Sequence, residues 1–510
     1  MNRKSRIENS VRNSVLGMIV QGANVLLGLL VRTFFIYFLS QVYLGVNGLF
    51  TNILTMLSLA EMGIGSAIIY DMYKPIAEGD EIQIAKLMNF YRQAYFIIGC
   101  VVGTCGLLIT PFLGVIIKGQ PDIPNITEIY LLYLANTVFS YFFAYKRSIF
   151  SADQRERVLH IFRLIFYIVR SVLQIIILML TKNFIAYLGV QILCTVLENV
   201  AVSIYADREY PFLKKYQSSK LDKKQTKSIV ENVKALFIYK VGSTALDGTD
   251  NIIISAFDGV ISVGLLSNYS LVTGSVQLLL SQITTSLTSS VGNYVAQESN
   301  DKHEMLLKRL TFLNFIIYGG AFVILTSCLT PFVQVWAGTS YTLGFSVVFV
   351  FCLNMYIYGM MNSIWTFRTT MGLFVYGRWR PLVSAAINVV VSILLAQKMG
   401  LLGVLLGTTI TRVTTNVWFD PYVVYRYGLK KSASRYYIQW LGYLILCCIL
   451  VFALNGMICA LPLYGMIRLV VSALFSSMVF GVAVVVLFWR NEHLRYFIDI
   501  IKNMVFYRVK

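Results

Sequence analysis

The segment 239-YKVGSTALDGTDNIIISAF-257 reads as part of a helix in a chain apolar enough to live in lipid, yet it carries Lys240, Asp247 and Asp250 within about three turns. Successive helical residues rotate by about 100°, which gathers Lys240, Ser243, Asp247, Asp250 and Asn251 into about a third of the circumference. Ile238, Gly242, Ala245, Ile252, Ile253 and Ala256 take the opposite side. A helix with one polar face inside a membrane must turn that face to protein or water. Each ionised side chain at the bilayer centre costs roughly 2.5 to 3.5 kcal/mol on insertion scales. Three on one helix therefore imply either a polar cavity or a neutralised pairing of Lys240 with Asp247 that joins helices.

The rest of the chain sets that helix in a membrane. Of 510 residues, 57% are hydrophobic and 13% charged, with a mean hydropathy of +0.69, values a soluble domain of this length does not reach. Apolar runs of about 20 to 30 residues recur from near Asn13 to Trp489, each long enough to cross roughly 30 Å of hydrocarbon. The expected fold is an all-α polytopic membrane protein of about fourteen transmembrane helices. The first run is longer than a signal-peptide core and lacks a small-residue cleavage site, so it is expected to be retained as a span.

Charge supplies the orientation. Of the 43 lysines and arginines, Lys118, Lys182 and Lys398 fall in loops on one side, five fall within spans (Arg32, Arg170, Lys240, Arg412 and Arg468), and 35 fall on the other side. The positive-inside bias places both termini in the cytoplasm and requires an even number of crossings. The net charge of +19 is thereby a topology signal, and no nucleic-acid partner is implied. Eight cysteines lie mostly inside apolar runs without paired histidine spacing, so neither a disulfide framework nor a transition-metal site is expected.

The chain also repeats itself. A shift of 219 residues pairs 11-VRN-13 with 230-VEN-232, Ile19 with Ile238, Phe38 with Phe257 and Gly45 with Gly264. At 220, 110-TPF-112 meets 330-TPF-332, and at 214, 188-LGV-190 meets 402-LGV-404. Ordered matches at nearly one spacing argue for duplication, and six spans between equivalent points make the repeat a parallel one. The organisation read from this is an N-lobe of helices 1 to 6 (1–206), a basic cytoplasmic linker (207–230) and a C-lobe of helices 7 to 12 (231–426). Two extra helices (435–490) and an amphipathic cytoplasmic tail (491–510) follow.

Under the 219 shift Gln21 matches Lys240, Asn24 matches Ser243 and Arg32 matches Asn251, and Gln21, Asn24 and Arg32 lie within about 80° of one another on their helix. Both halves thus present a polar stripe from their first helix, as two walls of one cavity would. Glu61, Arg170, Glu198 and Arg412 add further charge inside spans, whereas Arg468 is near a helix end and can snorkel. A cavity holding Arg32, Arg170, Lys240 and Arg412 with Gln21, Asn24 and Glu61 suits a phosphate-containing anion, because a guanidinium fork matches phosphate oxygens and stays charged. Carboxylates beside it suit a coupling cation or proton.

Segments 62-MGIGSAIIYDMYKPIAEGD-80, 291-VGNYVAQES-299 and 330-TPFVQVWAGTSYTLG-344 resemble Wzx-type flippases for lipid-linked oligosaccharides, the polysaccharide-transporter branch of the multidrug/oligosaccharidyl-lipid/polysaccharide (MOP) exporter superfamily. The resemblance implies a bacterial cell-membrane flippase that moves undecaprenyl-pyrophosphate-linked repeat units from the inner to the outer leaflet by alternating access, for capsule, O-antigen or exopolysaccharide assembly. It implies no cofactor beyond Na+ or H+ coupling, the lipid bilayer as setting, and a polysaccharide polymerase of the same pathway as partner. A sodium site known in related lipid II flippases maps onto Asp247 or Asp250, Asn388, and Thr408 or Thr411. The lipid II flippases' run of first-helix charges is absent here, where Arg32 stands alone, which argues against lipid II as cargo. The alternatives are an ion-coupled multidrug exporter of the MATE type, whose cationic cargo calls for acids without bases, and a membrane-embedded polymerase. The latter conflicts with exterior loops as short as 40-SQV-42 and 337-AGTSY-341.

Overall fold

Among the described residues of the computed structural model, ten helical segments are long and apolar enough to cross a membrane. The structure describes residues 3–507 apart from 59–63, 118–123, 154, 218, 224, 228, 232, 234–247, 298, 374–375 and 378, and among the described residues every regular element is helical. This is an all-α polytopic membrane protein, the outcome expected where backbone polar groups must be satisfied within each segment. The count of about fourteen differs from ten partly because one apolar segment, Arg380–Leu429, runs 50 residues and holds more than one crossing.

The chain divides into two compact units, Met1–Gly264 and Leu265–Lys510. In the first, α1 (Arg3–Phe38) is followed by α2 (Gln41–Leu57), α3 (Ile64–Glu78), α4 (Glu81–Ile109), α5 (Ile126–Ala144), the short α6 (Arg147–Ala152), α7 (Glu156–Thr181) and α8 (Phe184–Glu209). Local chemistry sets these boundaries. Asp80 caps α4 by accepting from the Gln83 amide at 2.9 Å, and Asn183 caps α8 by accepting from the Ile185 and Ala186 amides at 2.8 and 3.2 Å. Packing runs from α1 onto α7, from α7 onto α8, from α8 onto α5 and from α5 onto α4. The unit closes with α9 (Asp250–Phe257), which lies against α2, and the first turn of α10 (Val260–Gln297). There the repeat-matched glycines Gly45 and Gly264 touch: a Cβ on Gly45 would stand 1.9 Å from the Val260 carbonyl oxygen, and one on Gly264 would stand 2.7 Å from the Gly45 nitrogen.

The second unit holds α11 (Asn300–Asn314), α12 (Gly320–Trp336), α13 (Phe345–Met360), α14 (Asn362–Thr370), α15 (Arg380–Thr411), α16 (Trp418–Val423), α17 (Ser434–Ala460), α18 (Gly465–Phe488) and α19 (Glu492–Tyr507). Both late membrane helices, α17 and α18, dock on α12. Phe315 and Tyr443 stack there with ring centroids 4.2 Å apart. The tail helix α19 is tied back to α11, where the Arg309 guanidinium stands 3.9 Å over the Tyr496 ring and Leu494 is buried. The two Thr-Pro pairs behave differently: Thr110-Pro111 sits in a tight 3-10 turn that ends α4, while Pro331 is carried inside α12.

Helix α15 is a hairpin rather than a rod. Gly400 adopts φ 54° and ψ −131°, a conformation closed to ordinary side chains, and folds the two arms together. The arms meet through the small-residue spacing Gly403–Gly407, as expected where lipid supplies no hydrophobic drive between helices and close approach must. A Cβ on Gly407 would stand 2.3 Å from the Ser392 hydroxyl and 2.7 Å from its Cα.

Gly407→Leu is expected to cost about 1–3 kcal/mol or more through overpacking, read as a lowered unfolding temperature of detergent-purified protein. Gly442→Ala, with nothing within 4 Å of its Cβ, is the matched control and is expected to hold or raise stability.

Candidate functional site

A cavity of about 520 Å³ opens among helices of the first unit. Its charged wall is one face of α7, where Arg163, Phe166, Tyr167 and Arg170 recur at the i, i+3, i+4, i+7 spacing of a single helical stripe. The facing stripe of α8 contributes Cys194, Thr195, Glu198 and Asn199. Arg147, the first residue of α6, enters from the turn that follows α5, and Asn24 enters from α1.

The three arginines are not equivalent. Arg147 is held: its Nη2 donates to Glu198 Oε1 at 2.5 Å and its Nε donates to Asn199 Oδ1 at 3.1 Å. Arg170 lies 4.8 Å over the Tyr167 ring, a cation–π contact. Among the described residues neither Arg163 nor Arg170 has a carboxylate within ion-pair distance, so the lining carries more guanidinium than carboxylate. The Tyr167 hydroxyl reaches across to donate to the Asn24 carbonyl at 3.3 Å, tying α7 to α1 beside the cavity. The Asn24 side-chain oxygen is buried without a hydrogen-bond partner.

Of the residues singled out from sequence, Arg170, Glu198 and Asn24 line this cavity. Arg32 sits farther along α1, and both Arg32 and Arg170 are near enough to the Tyr187 hydroxyl to act on it electrostatically. Gln21 is half-buried on α1 and is not among the lining residues. Lys240, Asp247 and Glu61 lie outside the described residues. Arg147 and Arg163 were assigned to cytoplasmic loops by hydropathy, yet both line the cavity. The seven-residue spacing of Arg163 and Arg170 was the available signal.

The second unit brings together buried uncharged polar groups and a buried ion cluster around Asp420. Asn388 Nδ2 donates to Thr408 Oγ1 at 3.0 Å across the α15 hairpin, both side chains being buried. Thr411, one turn on, is fully buried and its hydroxyl has no hydrogen-bond partner. Arg412 Nη1 donates to the Asn354 carbonyl at 2.8 Å with its guanidinium 5.7 Å over the Tyr358 ring. Asp420, 0% exposed, receives Arg368 at 2.5 Å, Arg380 at 3.2 Å and the Trp365 indole at 2.9 Å. Asp250, in the first turn of α9, belongs to the first unit. Among the described residues no three His, Cys, Asp or Glu side chains gather to hold a metal ion.

No protein-family model matches the sequence, and no curated protein does. Solved structures do. The lipid II flippase MurJ in an inward closed conformation is similar at a TM-score of 0.67 and 14% identity, over 94% of this chain and 99% of that one. An inward-facing multidrug resistance MATE family transporter of the MOP superfamily is similar at 0.55 and 15% identity, over 81% and 96%. A MOP superfamily transporter from Pyrococcus furiosus, described as having a binding pocket of reverse polarity, is similar at 0.51 and 14% identity, over 84% and 97%. The chain therefore has the fold of MOP-superfamily transporters, and identities this low speak to the fold alone.

Arg147→Ala strands Glu198 and is expected to lower the stability of the purified protein by about 1–3 kcal/mol, since both partners are part-buried. Arg163→Ala, which breaks no ion pair, is expected to leave the unfolding temperature nearly unchanged in the same thermal assay.

Proposed function

We propose that this protein is a flippase that carries undecaprenyl-pyrophosphate-linked oligosaccharide repeat units from the inner to the outer leaflet of a bacterial cell membrane by alternating access, for assembly of a surface polysaccharide. The observation that carries the reading is the cavity in the first unit, where, among the described residues, three arginines face a single carboxylate. Planar guanidinium forks match the oxygens of a pyrophosphate and remain charged at any biological pH. A part-buried cavity screens that attraction less than open water does.

The same excess of base over acid disfavours the MATE-type reading, in which cationic cargo would meet a wall of its own sign. The fold shared with a lipid flippase and with a multidrug transporter supports transport as the reaction class, and the arginines favour an anionic cargo. Both termini are assigned to the cytoplasm by the positive-inside bias. Arg32 and Arg412 remain headgroup candidates with Arg170. Asp247 or Asp250 with Asn388, Thr408 and Thr411 remain the proposed coupling site for Na+ or H+.

In cells making a surface polysaccharide through this protein, Arg163→Ala and Arg170→Ala are each expected to cut export roughly ten-fold or more while the protein stays in the membrane. Full export by both variants overturns the headgroup assignment. In vesicles loaded with lipid-linked oligosaccharide, Asn388→Ala is expected to remove the dependence of translocation on an ion gradient. A wild-type rate indifferent to both sodium and proton gradients removes the coupling role.

A further inference from the structure

The cavity already contains an anion. Glu198 reaches Arg147 at 2.5 Å, and Asn199 receives the same guanidinium at 3.1 Å, so one of the three arginine forks is occupied by a side chain of α8. The pair is neither solvent-exposed nor sealed: the two side chains retain 24% and 19% exposure, both line the cavity, and the cavity is large enough for a diphosphate group. Ion pairs elsewhere in the molecule range from more open, as with Arg155 and Glu209 at 26% and 34% exposure, to more closed. Asp420, held by Arg368 and Arg380, is 0% exposed, and Asp207, held by Lys146 at 2.5 Å, retains 15%. Among the described residues, Arg163 and Arg170 on the same wall have no carboxylate within ion-pair distance.

We infer that Glu198 is a built-in counter-anion that occupies Arg147 when the cavity is empty and that the phosphate oxygens of the cargo displace. This rests on the headgroup reading above and adds how the site is regulated. Exchange of one oxyanion for another on Arg147 nearly cancels its contribution to affinity, because the cargo must break a charge-assisted bond to form one. A transporter gains from that cancellation, since cargo bound too firmly is not released. Arg163 and Arg170 then supply recognition, while the pair of Glu198 with Arg147 weakens the bound state and speeds release. A structural role alone gives the opposite expectation, because removing a carboxylate that only joins α6 to α8 loosens the wall and weakens binding.

The test is calorimetric binding of inorganic pyrophosphate to the purified full-length protein in detergent micelles, comparing wild type with Glu198→Gln, whose amide keeps a hydrogen bond to Arg147. The variant is expected to bind at least about ten-fold more tightly. In vesicles it is expected to release lipid-linked cargo more slowly. Binding by Glu198→Gln that is equal to or weaker than that of a binding-competent wild type overturns the inference and leaves the headgroup site standing. Absence of pyrophosphate binding in both proteins overturns the headgroup site and the inference together. Should Glu198→Gln fail to fold, Glu198→Asp, which shortens the reach to Arg147, is expected to bind more tightly than wild type by a smaller factor, and unchanged binding overturns the inference.

Discussion

A guanidinium carried into a span of hydrocarbon has to be answered within the protein, since the bilayer core offers neither water nor counter-ions. Much of the first unit is arranged around that demand. Helix α7 turns Arg163 and Arg170 onto one side and its leucines and isoleucines onto the other, where Ile165, Ile176 and Leu180 are exposed. Helix α8 meets the charged side with Glu198 and Asn199, and α1 meets it with Asn24. The cavity is what remains when the answers are fewer than the charges.

The class of fold was legible because lipid simplifies the code. Helices are the only open-chain solution in a bilayer, so run length and composition identify them, and loop charge orients them. The site was legible where a charge stood deep within an apolar run, as with Arg170, or where a polar stripe marked a helix, as with Asn24. Arg147 was hidden by its position at a helix start beside Lys146, and Arg163 by its place near the N-terminal end of α7. Hydropathy averages over a window and reports neither which face a residue takes nor that a short helix such as α6 can fold back into the wall. Asn388 and Thr408 illustrate a different limit. They are 20 residues apart and meet only because Gly400 reverses the chain, which a uniform helical wheel cannot represent.

The corresponding corners of the two units are closed by the same kind of tie. Lys146 meets Asp207 at 2.5 Å in the first, and Arg368 meets Asp420 at 2.5 Å in the second. Residues 146 and 368 are 222 apart and residues 207 and 420 are 213 apart, close to the spacings of the sequence matches. In each unit a base and an acid from separate helices are brought together and join those helices at one point. At the position where Glu198 receives Arg147, the second unit has Arg412, which instead donates to the Asn354 carbonyl.

That divergence separates two chemistries. The first unit presents charged nitrogen donors, which recognise oxyanions. The hairpin of the second presents hydroxyl and carboxamide groups at Asn388, Thr408 and Thr411, all buried and uncharged. Oxygen donors of this kind suit a small hard cation stripped of part of its water, and they are unsuited to a phosphate, which needs donors and positive charge. Thr411 has the same character: its hydroxyl is fully buried and, among the described residues, has no hydrogen-bond partner, and burial of an unpaired hydroxyl costs free energy that a cation drawn to its lone pair would offset.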